Sequence, residues 1–202
     1  MRVMTHFLLW NLGLAAAETQ TSAAERECLA RHAVGKKRVV EIGVWHGVTT
    51  RRLRGAMASD GVLVGVDPYP AGRLGFSAQH RIARREVAKV SNGTMRWVRS
   101  TGVDAARNSA SLNIGPVDFV FIDGDHSYEG LRADWESWSS LVVSGGIVAL
   151  HDSCSSATRE IDTAGSVVYT SDVIRLDKRF ELVEVVDTLT VLRRIEGIGD
   201  SL

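Results

Sequence analysis

Arg38 to Thr50 reads RVVEIGVWHGVTT. Val39 and Val40 form an apolar run with the composition of a buried strand, and Glu41 stands at its end. Gly43 and Gly47 follow, then Thr49, Thr50 and a helix-like run from Arg51 to Met57. Strand, glycine turn and helix make the first unit of a nucleotide-binding α/β domain. Glycine suits the turn because a backbone without Cβ lets a ligand lie against it. The spacing is E-x-G-x-x-x-G rather than G-x-G-x-x-G, so the dinucleotide fingerprint is absent. An acid ahead of the first glycine favours a ligand with a cationic amino group over a pyrophosphate. Two glycines in a strand–turn–helix decide nothing alone, so the surrounding chain has to be weighed with them.

A chain of 202 residues suits one domain with a sizeable core. Hydrophobic residues at 45% and charged residues at 24% are the balance of a soluble globular protein. Lys+Arg and Asp+Glu are equal at 24 each, and no local Lys/Arg block argues for nucleic acid. Cys28 and Cys154 lie far apart, without metal-ligand or redox spacing, and read as reduced thiols of a cytoplasmic protein.

The amino-terminal stretch MRVMTHFLLWNLGLAAAETQ has two readings. Arg2, the apolar run Phe7 to Leu14 and Ala15-Ala16-Ala17 resemble a short signal peptide. His6 and Asn11 interrupt that pattern and favour an amphipathic helix over the mouth of a site. Residues 1–34 are therefore expected to be a helical cap segment, with the main domain over 35–202. The stretch is too short to span a membrane.

Ser22 with Glu25 has capping-box spacing and predicts a helix to about His32. The next strand, Val62 to Val66, ends at Asp67, 24 residues beyond Gly43. An acid at that separation is where such folds hold ribose hydroxyls, although Asp-Pro is also an ordinary turn starter. A helix is expected over Ser77 to Val90. Its arginines, with Arg73, read as a solvated face or as a grip for an anion. Thr94 to Arg99 alternates as a strand, and a short helix follows over Val103 to Asn108. Val117 to Ile122 is nearly all apolar, hence a central strand, and runs into Asp123-Gly124-Asp125-His126. Tyr128, Leu131, Trp135, Trp138 and Leu141 keep the helical period and read as core. Gly145-Gly146 is expected to turn the chain into a strand over Ile147 to Leu150, which ends at His151-Asp152. A helix over Val167 to Asp177 and a hairpin of Phe180 to Val186 with Leu189 to Arg194 complete the pattern.

Each singled-out polar group falls at the carboxyl end of an expected strand, the edge where open α/β sheets bind ligands. His126 has chemical interest of its own, because an imidazole titrating near neutrality can take a proton from a hydroxyl. A helix-capping or Asp123-bonding role is the competing reading, and the base is preferred to it.

With those residues in view, the chain resembles a class I S-adenosylmethionine-dependent methyltransferase. VVEIGVWHG is similar to the family's cofactor motif and GVDPY to its ribose acid. FVFIDGDHSYEGLRADWESWSSLVVSGGIVALHD resembles a small-molecule O-methyltransferase branch of natural-product and sugar-modifying enzymes. The likeness covers about Gly35 to Arg194. It implies a Rossmann-like, doubly wound, seven-stranded sheet in the order 3-2-1-4-5-7-6 with strand seven antiparallel. It implies that Glu41, Gly43 and Gly47 meet the cofactor, Asp67 holds its ribose, and Pro68, Tyr69, Thr101 and Asp123 border the rest. His126 would be the general base for methyl transfer to a hydroxyl of a small acceptor such as a sugar or polyketide. Magnesium or another divalent cation would bind at Asp123, Asp152 and His151, although a histidine where the branch often has a second acid departs from the pattern. Nucleic acid and membrane are not expected partners, and a homodimer is the habit of such folds. The competing expectations are a non-catalytic cofactor- or partner-binding domain, or another transferase of the same cofactor.

Overall fold

The computed structural model describes residues 3–195. Arg2 and the far end of the expected 35–202 segment lie outside the described residues. The strands are β1 (Arg38–Ile42), β2 (Val62–Val66), β3 (Thr94–Val98), β4 (Val117–Ile122), β5 (Val142–Leu150), β6 (Phe180–Val186) and β7 (Leu189–Arg194). The helices are α1 (Val3–Asn11), α2 (Ala23–Ala33), α3 (Val48–Ala56), α4 (Ala78–Val87), α5 (Gly102–Arg107), α6 (Tyr128–Trp138) and α7 (Gly165–Asp172). They build one seven-stranded sheet in the order β3-β2-β1-β4-β5-β7-β6, with β7 antiparallel to both of its neighbours. This is the order the sequence resemblance implies.

The central strands are apolar on both faces because both are covered. In β1, Val40 and Ile42 enter a core with Leu131, Trp135 and Trp138 of α6, whereas Val39 enters one with Cys28 and Leu29 of α2 and Leu53 of α3. Alternate side chains of one short strand thus serve two layers. Helix α2 is therefore a full member of a layer and not part of a cap. Only α1 stands apart, packed on α4. No helix among the described residues is long and apolar enough to cross a membrane.

Two elements differ from expectation. Gly145 and Gly146 lie inside β5, which begins at Val142 and shifts register against β4 between Val117 and Phe119. Helix α7 begins at Gly165 and ends at Asp172, and a short 3-10 turn, Ile174–Leu176, follows. The aromatic stripe of α6 is core from Leu131 onward, while Tyr128 at its open end is 37% exposed. Trp138 is fully buried, and its indole N–H donates to the Gly102 carbonyl at 3.0 Å. Trp138→Ala should therefore cost roughly 3–5 kcal/mol of stability, and Tyr128→Ala much less, when both are measured by chemical denaturation.

Candidate active site

The sheet sets its own functional edge by carrying hydrogen bonding one residue past each strand. Asp67 N–H donates to Val98 O, Gly43 to Val66 O, Asp123 to Ile42 O and His151 to Ile122 O, at 2.8–3.1 Å. The residue after each of four parallel strands is thereby pinned to its neighbour at one level. Three non-glycine residues at this edge, Trp45, Tyr69 and Asp152, have φ between 43° and 48°. Left-handed backbone of this kind costs energy and collects at functional sites.

Above the edge lies a cavity of about 860 Å³. Glu41, Gly43, Asp67, Pro68, Thr101, Asp123, His126 and Asp152 all line it. Glu18, Thr19 and Gln20 close one side. They are fastened to the glycine turn: Glu18 N–H donates to His46 Nδ1 at 3.1 Å, and the Thr21 and Thr49 hydroxyls meet at 3.1 Å. Glu41 is buried, and its Oε2 has no hydrogen-bond partner among the described residues. Burial first, with the charges of Asp123 and Asp67 adding to it, holds its carboxyl well above the usual carboxylate range.

A row of alternating charge crosses the floor. Glu25 lies 3.5 Å from His151, His151 2.8 Å from Asp123, Asp123 3.3 Å from His126, His126 3.0 Å from Asp152, and Asp152 2.6 Å from Arg159. Asp123 and then Asp152 raise His126 to about 9 against the opposing effect of burial. Burial alone would lower His151, whose side chain is fully enclosed, yet Asp123 and Glu25 raise it. Burial would raise Glu25 and Asp152, but His151 and Thr188 hold the first down, and His126, His151 and Arg159 the second. Each charge is thus stabilised by its neighbours of opposite sign.

A family profile described as a methyltransferase domain matches residues 40–153, more than half of the chain. The chain belongs to this methyltransferase family. A comparison with curated proteins gives no match. Among solved structures, an O-methyltransferase from Bacillus cereus in complex with SAH is 19% identical with a TM-score of 0.67, covering 96% of this chain and 91% of that one. The O-methyltransferase TomG from Streptomyces achromogenes, involved in tomaymycin synthesis and solved with SAM, is 17% identical with a TM-score of 0.64, covering 97% and 91%. An rRNA methylase from Streptococcus thermophilus is 12% identical with a TM-score of 0.58, covering 89% and 100%. These likenesses show the fold.

Three of the methyltransferase's expected site residues stand away from the cavity wall. Gly47 has φ +75° and packs on α4, where a Cβ would lie 3.1 Å from the Ala83 backbone. Tyr69 is buried behind the wall, its hydroxyl donating to Trp45 O and its ring stacked on His80 at 4.5 Å. His151 lies beneath the floor as part of the charge row. Gly43 does line the cavity, but a Cβ there would sit 1.9 Å from Asp123 O. Its bareness serves the approach of two strand ends rather than of a ligand. Asp67 accepts from the amides of Val44, Trp45 and Tyr69 at 2.9–3.2 Å, which closes both turns. Its carboxylate keeps further acceptor capacity toward the cavity.

The expected cation set of Asp123, Asp152 and His151 does not fit a divalent metal. Asp152 already accepts from Arg159, and its other oxygen lies 3.1 Å from the Thr188 hydroxyl, which donates to Glu25. Atoms of Asp123, His126 and His151 do lie within 4.8 Å of one another. However, His151 stands beneath the floor, enclosed between Asp123 and Glu25, and Arg159 stands on Asp152. His126, His151 and Arg159 supply the positive charge that a cation would bring to Glu25, Asp123 and Asp152.

The row makes stability depend on pH. His151 is raised in the folded state, so its contribution is complete below the unfolded value of about 6.5 and fades as pH rises through about 10. His151→Gln leaves carboxylates buried without their partner and should cost roughly 3–5 kcal/mol near neutrality. The gap between wild type and variant in thermal melts should narrow steadily on the alkaline side.

Proposed function

We propose that this methyltransferase moves a methyl group from S-adenosylmethionine to a hydroxyl of a small acceptor, a sugar, polyketide or similar molecule. The observation that carries oxygen as the target is His126. It stands on the cavity wall as the one imidazole of the charge row, among the described residues, that is partly exposed to the cavity. The two O-methyltransferase structures, one holding SAH and one SAM, support the same chemistry.

The residues fit the cofactor. Glu41 offers an orphaned acidic oxygen in a buried wall, the complement of an ammonium group. Asp67 offers a carboxylate with spare acceptor capacity for hydroxyl protons. When bound, S-adenosylmethionine supplies an electrophilic methyl on a sulfonium. The chain's work is to hold the acceptor hydroxyl in line and to take its proton. His126 performs the second task. With methyl transfer to the acceptor oxygen, the hydroxyl proton would pass to the imidazole, and Asp123 and Asp152 would stabilise the imidazolium that results. His126 has to be neutral at the start, and its partners hold it protonated up to about 9. A cationic ligand bound beside Asp123 would lower that value. The two free thiols, Cys28 and Cys154, support a reducing, cytoplasmic setting.

The test is turnover of S-adenosylmethionine to S-adenosylhomocysteine with a panel of hydroxylated acceptors. The rate should rise with pH along a limb that ends at or below about 9. His126→Ala should remove that limb and lower kcat by roughly 10²–10⁴-fold. Chelation with EDTA should leave turnover intact, because the protein's own cations already balance the carboxylates. A His126→Ala enzyme with an unchanged rate and pH profile would take the base out of the mechanism. A chain that binds the cofactor but turns over none of the panel would favour the binding-domain reading.

A further inference from the structure

Helix α1 buries a histidine where a helix packed on its neighbour would ordinarily bury a hydrocarbon. His6 is its one buried residue, 4% exposed, while Val3 and Leu8 face outward at 52% and 56%. Neither ring nitrogen of His6 makes a hydrogen bond among the described residues. A buried polar group without a partner is costly and calls for a reason. The ring lies face to face with His46 of the glycine turn, with centroids 5.0 Å apart and planes 8° from parallel. Trp45 stacks on His46 as well, at 4.7 Å. Glu18 stands at the edge of both imidazoles: its Oε1 lies 3.3 Å from His6 Nδ1 and its Oε2 4.0 Å from His46 Nδ1.

Two imidazole nitrogens and a carboxylate oxygen are a donor set that zinc takes in proteins. The ligand atoms of the three side chains lie within 4.8 Å of one another. Tetrahedral zinc, with bonds near 2.0–2.2 Å, holds its ligands about 3.3–3.6 Å apart. The set is thus within a side-chain adjustment of that geometry. His46 Nδ1 accepts the Glu18 amide at 3.1 Å, so it carries no proton. Its lone pair is the form of imidazole that binds a metal, and taking it over costs one neutral hydrogen bond. The Glu18 side chain is exposed and gives an ion its way in. A second cluster with ligating atoms, Cys28, His32 and Glu184, already has a cation in place, because Arg31 stands on Glu184 at 2.9 Å.

We propose that His6, Glu18 and His46 bind a divalent transition-metal ion, zinc by their donor set, which clamps α1 and the segment behind it onto the glycine turn. None of the three belongs to the charge row, so the ion takes no part in proton removal and chelation spares turnover. What it fixes is the wall. Glu18, Thr19 and Gln20 close one side of the cavity, and α1 gains the anchor that one unpartnered histidine does not give.

Calorimetric titration of the full chain, freed of metal with EDTA and dialysed, with zinc chloride tests this. Wild type should take up zinc at micromolar concentration, and its melting temperature should rise with the ion. Loss of a ligand costs at least what loss of a ligand's outer partner does, so His6→Gln and Glu18→Gln should each weaken uptake by roughly 10–100-fold or more and remove the rise. Glu18→Gln changes an exposed side chain and should melt as metal-free wild type does, which separates loss of the site from loss of the fold. Uptake that survives both variants unchanged would assign the ion to Cys28, His32 and Glu184 or to the charge row, and would overturn the clamp. No uptake by wild type would overturn it too, leaving His6 a buried imidazole that only stacks.

Discussion

The row Glu25, His151, Asp123, His126, Asp152 and Arg159 ties α2, the ends of β4 and β5 and the loop after β5 to one another by charge. Glu25 closes the capping box of α2 with Ser22 and also accepts from the Thr188 amide and hydroxyl in the β6–β7 turn. His151 ends β5, Asp123 ends β4, and Arg159 comes from the loop after β5. A single buried carboxylate in that position would be intolerable, and a single buried imidazolium equally so. Alternation removes the difficulty, because every charge has an opposite one on each available side. The consequence is rigidity: no member can swing away without leaving two others uncompensated.

That rigidity is inherited from the sheet. Four parallel strands end at the same level because each strand's next residue still bonds to its neighbour. The backbone at those four positions is thereby held at one level. The turns that follow are then tightened from within, chiefly by Asp67, which holds the amides of Val44 and Trp45. A residue first read as a ligand grip is thus also the reason the cavity has a defined rim. The strained φ of Trp45 persists because these bonds over-determine it.

The fold was legible because it depends on period and order. β4 announces itself by six residues with hardly a polar one among them, and α6 by aromatics at helical spacing. The strand-end positions were legible for the same reason, since knowing where a strand stops names the residue at its edge. Side-chain direction was not legible. Tyr69 follows Asp67 by two residues, yet its backbone turns left-handed and carries the ring into the core against His80. Gly47 and Gly43 read from sequence as bare backbone for a ligand, and protein approaches both: Ala83 in one case and Asp123 in the other. Glu25 showed itself as a cap, and nothing in the local pattern says that its second oxygen reaches a hairpin far along the chain. Arg159 and Glu18 come from loops, where no period constrains position.

The same row bears on which histidine can exchange a proton. His126 and His151 share Asp123, so the two imidazoles compete for one carboxylate. His151 has Glu25 on its far side, with Asp152 also nearby at 3.7 Å, and its ring is shut off completely. His126 has Asp152 on its far side, but Arg159 draws on that same carboxylate. Arg159 thereby shares the carboxylate that pairs with His126, and the imidazole facing the cavity is partly exposed where the one beneath it is enclosed. A positively charged ligand entering beside Asp123 acts in the same direction, since it too draws on a carboxylate that His126 needs in order to stay protonated. The buried end of the row is thus fixed in charge and structural in effect. The open end is adjustable, and the adjustment runs toward the neutral imidazole that proton removal from an acceptor requires.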